Sequence, residues 1–270
     1  MELSDYIVAA PEIVMLGIIC VVLIADLFID DENRVRTFWL SIFSLVGLLF
    51  VLDATTPTEA VVIFHGSYVS DPLSQILKIA AVLFVGIAFL YSRDYLRANE
   101  IHKGEFYLLG LIGLLGMMIM MSANSLLTMY LGLETLALSL YALVAIDRNN
   151  VTSAESAMKY FILGAIASGA LLYGISWVYG VTGTLEFNEI AAALSADEGL
   201  NSLPLWFGLA FLIVGIGFKF GAVPFHMWLP DVYQGARTPV TLYIASAPKF
   251  AALALFLRIL VDGLGGLHDT

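Results

Sequence analysis

Five cationic side chains lie inside apolar stretches long enough to cross a membrane, Lys78, Lys159, Lys219, Lys249 and Arg258, and a carboxylate, Glu134, lies in the middle of another. Near the centre of a bilayer such a charge costs at least ~2.5–3.5 kcal/mol on insertion scales, so each one needs a counter-charge, a water-filled cavity or a task. Lysines and one glutamate spread over successive helices have the chemistry of a proton path. A carboxylate changes a neighbouring lysine's hold on its proton, and a buried lysine can release one near neutral pH.

Glu134 sits in Tyr130-Leu-Gly-Leu-Glu134-Thr-Leu-Ala-Leu-Ser-Leu-Tyr141, where nothing within one turn of its own helix neutralises it. It is therefore either protonated or paired with a cation from another helix. Lys159, near the start of its stretch, is the expected partner; the plainer readings are a packing salt bridge for Glu134 and a snorkelling Lys159. Lys219, deep in its stretch and flanked by glycines, is the strongest relay candidate. Lys249 follows Pro248 at a similar depth. His226 titrates near neutrality and could bridge the lysines, or serve as a structural interfacial histidine. Lys78 is expected to pack or snorkel and Arg258 to snorkel, since arginine does not give up its proton.

These residues must be held by membrane helices. The 270-residue chain is 60% hydrophobic and only 13% charged, more apolar than a soluble domain of this size can bury. Apolar windows of membrane length recur at 9–28, 37–53, 74–92, 105–122, 124–146, 156–180, 204–225 and 239–261, predicting eight spans. The first is too long for a signal-peptide core and is read as a retained helix. The single cysteine, Cys20, excludes an internal disulfide and a thiolate metal cluster, and a net charge of −11 argues against nucleic-acid binding.

Span 7 reads Gly215-Ile-Gly-Phe-Lys219-Phe-Gly221-Ala-Val-Pro224-Phe-His226, with three glycines and a proline that predict a broken helix beside a lysine. Span 8 repeats the pattern more weakly at Pro248-Lys249. Gly110, Gly113 and Gly116 in span 4, and Gly164, Ala165, Ser168 and Gly169 in span 6, read as small residues for close helix contact. The connections at 54–73 and 181–203, the latter with Glu186, Glu189, Asp197 and Glu198, read as ordinary surface loops.

Of the twelve lysines and arginines, the seven outside the spans are Arg34, Arg36, Arg93, Arg97, Lys103, Arg148 and Arg237. All fall in loops 1, 3, 5 and 7. The positive-inside rule then places the odd loops in the cytoplasm and both ends of the chain outside.

The block Gly221-Ala-Val-Pro-Phe-His226-Met-Trp228-Leu-Pro-Asp231-Val-Tyr-Gln-Gly235-Ala, with Thr238-Pro239-Val240 and Pro248-Lys249, resembles the signature of antiporter-like subunits of respiratory complex I, relatives of Mrp-type antiporter subunits. Leu131-Gly-Leu-Glu134, Ser139-Leu-Tyr141 and Gly104-Glu-Phe-Tyr107 look like the subunit-N branch, and Pro11-Glu12, Asp26 and Asp71 with Lys78 also fit.

The resemblance implies an all-α polytopic fold of inverted five-helix repeats, each with a broken helix. Residues 1–104 would form a three-helix segment and 105–270 the first repeat, with the second absent, so that the chain is read as a fragment or truncated product. It further implies a proton relay through Glu134 and Lys219 with Lys159 and Lys249, to which His226 is added on its own chemistry, in the inner membrane of a bacterium, among other complex I membrane subunits and lipid. NADH, FMN, iron–sulfur clusters and quinone would belong to partner subunits, with no cofactor in this chain. The alternatives are an Mrp-type cation/proton antiporter or membrane-hydrogenase subunit, and a non-transporting structural piece of the membrane arm. One departure is Arg237, where the family usually has proline.

Overall fold

The computed structural model describes residues 3–30, 34–99, 104–196 and 203–263. Lys103, Asp197 and Glu198, named in the loop readings, lie outside the described residues. The elements in chain order are α1 (Leu3–Val8), α2 (Ala10–Leu27), α3 (Val35–Ala54), strands β1 (Val61–Ile63) and β2 (Tyr68–Ser70), α4 (Pro72–Ala98), α5 (Gly104–Met121), α6 (Leu126–Val144), α7 (Val151–Thr182), α8 (Phe187–Ala196), α9 (Leu203–Phe220), α10 (Trp228–Gly235), α11 (Thr238–Ala245) and α12 (Pro248–Leu257), continued by a π-helical turn over Arg258–Gly263. Eight helical segments among the described residues are long and apolar enough to cross a membrane, and they coincide with the eight predicted spans. The largest difference in bounds is at span 3, which runs to Ala98 instead of ending at 92, and span 7 ends at Phe220 instead of running to 225.

Helix α5 is the axle of the bundle. It is apolar all round, so no face of it favours water, and it packs against α2, α3, α4, α6 and α12. Its glycines are required by contact. A Cβ on Gly116 would lie 2.6 Å from the Leu136 nitrogen, and one on the facing Gly132 would lie 2.8 Å from the Met120 nitrogen. Backbone therefore meets backbone where α5 and α6 cross, as small residues permit in lipid.

The two connections expected to be plain loops are built elements. Residues 61–70 form an antiparallel hairpin pairing Val61 with Ser70 and Ile63 with Tyr68. At its tip Phe64, His65 and Gly66 all have positive φ, and the Glu186 carboxylate fills the space where a Gly66 side chain would stand. The hairpin is sewn to the α5–α6 connection by Val69 N–H to the Ser122 carbonyl (2.8 Å) and Asn124 N–H to the Ser67 carbonyl (3.1 Å). Leu126 N–H reaches the Leu185 carbonyl (2.9 Å) and Phe187 N–H the Asn124 carbonyl (3.1 Å), adding the segment before α8. Backbone groups in tight connections need such partners, and here each connection supplies the next.

Lys78 and Arg258 do not snorkel. Lys78 is 1% exposed, with its ammonium 2.6 Å from Glu12 Oε1 and donating to the Tyr68 hydroxyl at 3.1 Å. The Tyr68 hydroxyl in turn donates to Glu12 Oε2 (2.7 Å). Burial, followed by the adjacent Glu12 charge, pushes the phenol far above its ordinary range, so it stays a donor. Arg258 is also buried, 2.8 Å from Asp71 Oδ1 and 3.1 Å from Asp262 Oδ2. Asp71 caps α4 in a reciprocal capping box with Ser74. Burial works against its charge, but the Arg258 hydrogen bond and the Ser74 amide outweigh it and hold the carboxyl below its usual range.

The Glu12–Lys78 pair ties the first span to the third. Removing one partner of a buried pair strands the other, at a cost of about 3–5 kcal/mol, whereas replacing both by apolar groups is close to neutral. Glu12→Leu and Lys78→Met should each lower the melting midpoint of the purified protein strongly, and the double variant should melt above either single one. A double variant that melts at the sum of the two losses would contradict the pairing.

Candidate functional site

Helix α9 ends where its sequence makes it end. Gly221 adopts φ +71, its N–H bonds the Phe218 carbonyl (3.0 Å), and Ala222 N–H bonds the Gly217 carbonyl (2.9 Å). This is the double hydrogen bond of a Schellman stop, in which glycine takes the left-handed position without strain. A side chain there would also strike Leu229, at 2.4 Å. The Phe218 carbonyl receives a second donor, the Trp228 indole N–H at 2.9 Å, so the break leaves it well satisfied. Lys219 is thereby fixed on the last turn of α9.

Trp228 opens α10 and stacks on Tyr160 of α7, with ring centroids 4.7 Å apart and planes 12° from parallel. Tyr160 meets Tyr141 of α6 edge-on at 4.7 Å. The Trp228 and Tyr160 rings line a cavity of about 50 Å³, room for a few water molecules. Lys219 and Lys249 both line it, with Leu133, Ala137 and Leu140 of α6 and Ile244 of α11 as apolar walls. Lys249 arrives there because α11 stops at Ala245 and α12 restarts at Pro248. The two breaks anticipated in spans 7 and 8 thus converge on one space.

Glu134 is half-buried on α6, and its Oε1 accepts a short hydrogen bond from the Ser168 hydroxyl of α7. The sequence presents Ser168 as a small contact residue, and its hydroxyl on the helix next to a lone intramembrane carboxylate is the signal that points to this bond. The packing reading does hold at Gly164, where a Cβ would stand 1.9 Å from the Tyr141 oxygen, while Gly169 faces open space.

The expected Glu134–Lys159 pair does not form. Lys159 bonds Glu155, one turn before it, at 2.9 Å and Asp231 of α10 at 3.1 Å, and its side chain is 44% exposed. The helical rise explains this: Ser168, not Lys159, lies at the level of Glu134, nine residues and about 13 Å further along α7. His226 lies in the connection between α9 and α10 with its ring exposed, outside the cavity that its neighbour Trp228 lines. Among the described residues no group of three or more His, Cys, Asp or Glu side chains could hold a metal ion.

The remaining cations are therefore of two kinds. Lys78, Lys159 and Arg258 have carboxylates within 4 Å. Among the described residues Lys219 and Lys249 have none, and both face a water-sized cavity. Paired cations fix structure; a lysine without a counter-charge that faces a cavity is free to change protonation.

A bundle of membrane helices with two broken spans meeting at a lysine-lined cavity defines a polytopic helical membrane protein with a polar site inside its bundle. The chain belongs to the family described as NADH:quinone oxidoreductase/Mrp antiporter, transmembrane, whose pattern matches residues 123–265, just over half of the chain. It is 53% identical over 268 residues to NADH-quinone oxidoreductase subunit N of Thioalkalivibrio sulfidiphilus, covering 99% of this chain and 56% of that protein. To the subunit N of Alkalilimnicola ehrlichii it is 51% identical, covering 99% of this chain and 54% of that one. The chain thus spans about half the length of these curated relatives.

Among solved structures, a chain of respiratory complex I from Thermus thermophilus with bound aureothin superposes with a TM-score of 0.76 at 33% identity, over 92% of this chain and 52% of that one. A chain of the Mrp complex from Dietzia sp. DQ12-45-1b shares the fold, with a TM-score of 0.77 at 21% identity over 98% of this chain and 50% of that one.

The geometry predicts which side chains are coupled. Glu134→Gln and Ser168→Ala should shift the melting midpoint non-additively, because one bond is lost in both. Glu134→Gln and Lys159→Met should add, because their partners differ. Strong coupling of Glu134 to Lys159 in a thermal-shift cycle would contradict the arrangement described.

Proposed function

We propose that this chain acts in the membrane domain of a proton-translocating NADH:quinone oxidoreductase, in the manner of the subunit N proteins it resembles. The carrying observation is the shared cavity: Lys219 and Lys249 line one space of about 50 Å³. Water in that space would pass a proton between the two amines, and the Glu134 charge would set which state of Lys219 is favoured. Lys159, exposed and held by Glu155 and Asp231, would sit at the mouth of the path. His226, exposed beside Trp228, would meet protons on the aqueous side and would not bridge the lysines.

In this reading residues 1–104 form a scaffold and 105–270 the first antiporter-like repeat. Neighbouring membrane subunits and lipid cover the apolar outer faces, and NADH oxidation, with its flavin, iron–sulfur clusters and quinone, takes place in partner subunits. The membrane is a bacterial inner membrane, with the Arg97 and Arg148 end of the bundle in the cytoplasm. A cation/proton antiporter subunit is the second reading, favoured by the Mrp-like fold; the identity to subunit N proteins over nearly the whole chain favours the first.

Two experiments test this. In the assembled complex, Lys219→Ala should reduce proton pumping per NADH oxidised by roughly tenfold or more, and Lys219→Arg should not restore it, since arginine keeps its proton. Pumping at the unmodified level in Lys219→Ala would refute the relay. For sidedness, the exposed Cys20 is first replaced by serine. Single cysteines at Arg97 and Arg148 should then react only from the cytoplasmic side, and those at Ala60 and Ser195 only from outside; the opposite pattern would invert the orientation.

A further inference from the structure

The span that carries Lys249 is fastened at both ends and broken in the middle. At one end, Arg237 precedes α11 with φ −64 and ψ 144, and Ala236 before it is extended at φ −72 and ψ 150. Both conformations suit a proline at 237, and among the described residues the Arg237 N–H makes no backbone hydrogen bond that a proline would forfeit. The turn therefore does not need arginine. The guanidinium adds something separate: its Nε lies 2.8 Å from Asp147 Oδ2, and an Nη donates to the same oxygen. Asp147 lies in the connection from α6 to α7, the helices that carry Glu134 and Ser168.

At the other end, Arg258 is 5% exposed and forks to Asp71 (2.8 Å), Asp262 (3.1 Å) and the Met121 carbonyl (3.4 Å). Asp71 starts α4 and Met121 ends α5, so this clasp holds the span to the axle of the bundle. Between the clasps, the Ser246 hydroxyl turns back to the Leu242 carbonyl (2.7 Å), the backbone at Ser246 leaves the helix at φ −108 and ψ −88, and Pro248 supplies no N–H. Lys249 follows directly.

We propose that Arg237 and Arg258 are positioning residues that clasp the two ends of this span, holding Lys249 in register with Lys219 and confining movement to residues 246–248. The inference rests on the proton-path reading above. Neither arginine touches the cavity; each acts through the helix between them.

The test uses the full-length subunit in the assembled respiratory complex in native membranes, reading proton pumping per NADH oxidised. Arg237→Pro keeps the turn and removes the clasp. It should lower the ratio by roughly threefold or more, and exchanging the pair, Arg237→Asp with Asp147→Arg, should recover most of it. Should Arg237→Pro fail to assemble, Asp147→Asn takes its place with the same expectation. Arg258→Lys keeps the charge, loses the fork and should also lower the ratio. An unchanged ratio in Arg237→Pro (or its substitute) or in Arg258→Lys, or no recovery in the exchanged pair, would overturn the proposal. Lys249→Ala separates the two readings. Normal pumping in Lys249→Ala overturns the proton path itself, whereas loss there with unchanged Arg237→Pro overturns only the clasps.

Discussion

An ionised side chain among lipid-facing helices must be compensated within the protein, and that requirement orders this molecule. Lys78 is met by Glu12 and Arg258 by Asp71 and Asp262, each pair drawing together spans that are distant in sequence. Lys219 and Lys249 are met instead by a small cavity that both line. The same cost thus has two solutions in one bundle. A direct pair is rigid and keeps its protons; a hydrated gap leaves the choice of protonation state open.

The cavity exists because two helices stop. The Schellman stop at Gly221 and the gap before Pro248 interrupt helices, which satisfy their own backbone in lipid, and freed carbonyls are taken up by Trp228 and Ser246. The stacked rings of Trp228 and Tyr160 then hold the end of α9 against α7. Around this site the rest of the bundle is close-packed through backbone contact at Gly116 and Gly132, so the breaks are local and the scaffold is firm.

The hairpin end of the bundle extends that firmness. The hairpin, the α5–α6 connection and the segment before α8 share backbone hydrogen bonds, so the ends of α4, α5, α6 and α7 are set relative to one another. Arg258 joins the eighth span to this frame through Asp71 and the Met121 carbonyl. The cavity of Lys219 and Lys249 is thus set in a frame that keeps its walls in place, in a chain of the NADH:quinone oxidoreductase/Mrp antiporter family.

The sequence by itself determined the eight spans, because crossing a membrane requires a run of apolar residues that is visible locally. It also marked both breaks, since Gly221 and Pro248 act on their own backbone, and it singled out Glu134, Lys219 and Lys249 as charges out of place. What it did not determine was who meets whom. Arg258 finds Asp71 across 187 positions and Tyr68 finds Glu12 across 56, distances over which no periodicity carries information. Lys159 looked like the partner of Glu134 because both are charged and their helices are adjacent. The rise of α7 put Ser168 at that level instead and left Lys159 with Asp231. Partnership depends on height and rotation within the packed bundle, and those are fixed only when all the helices are in place.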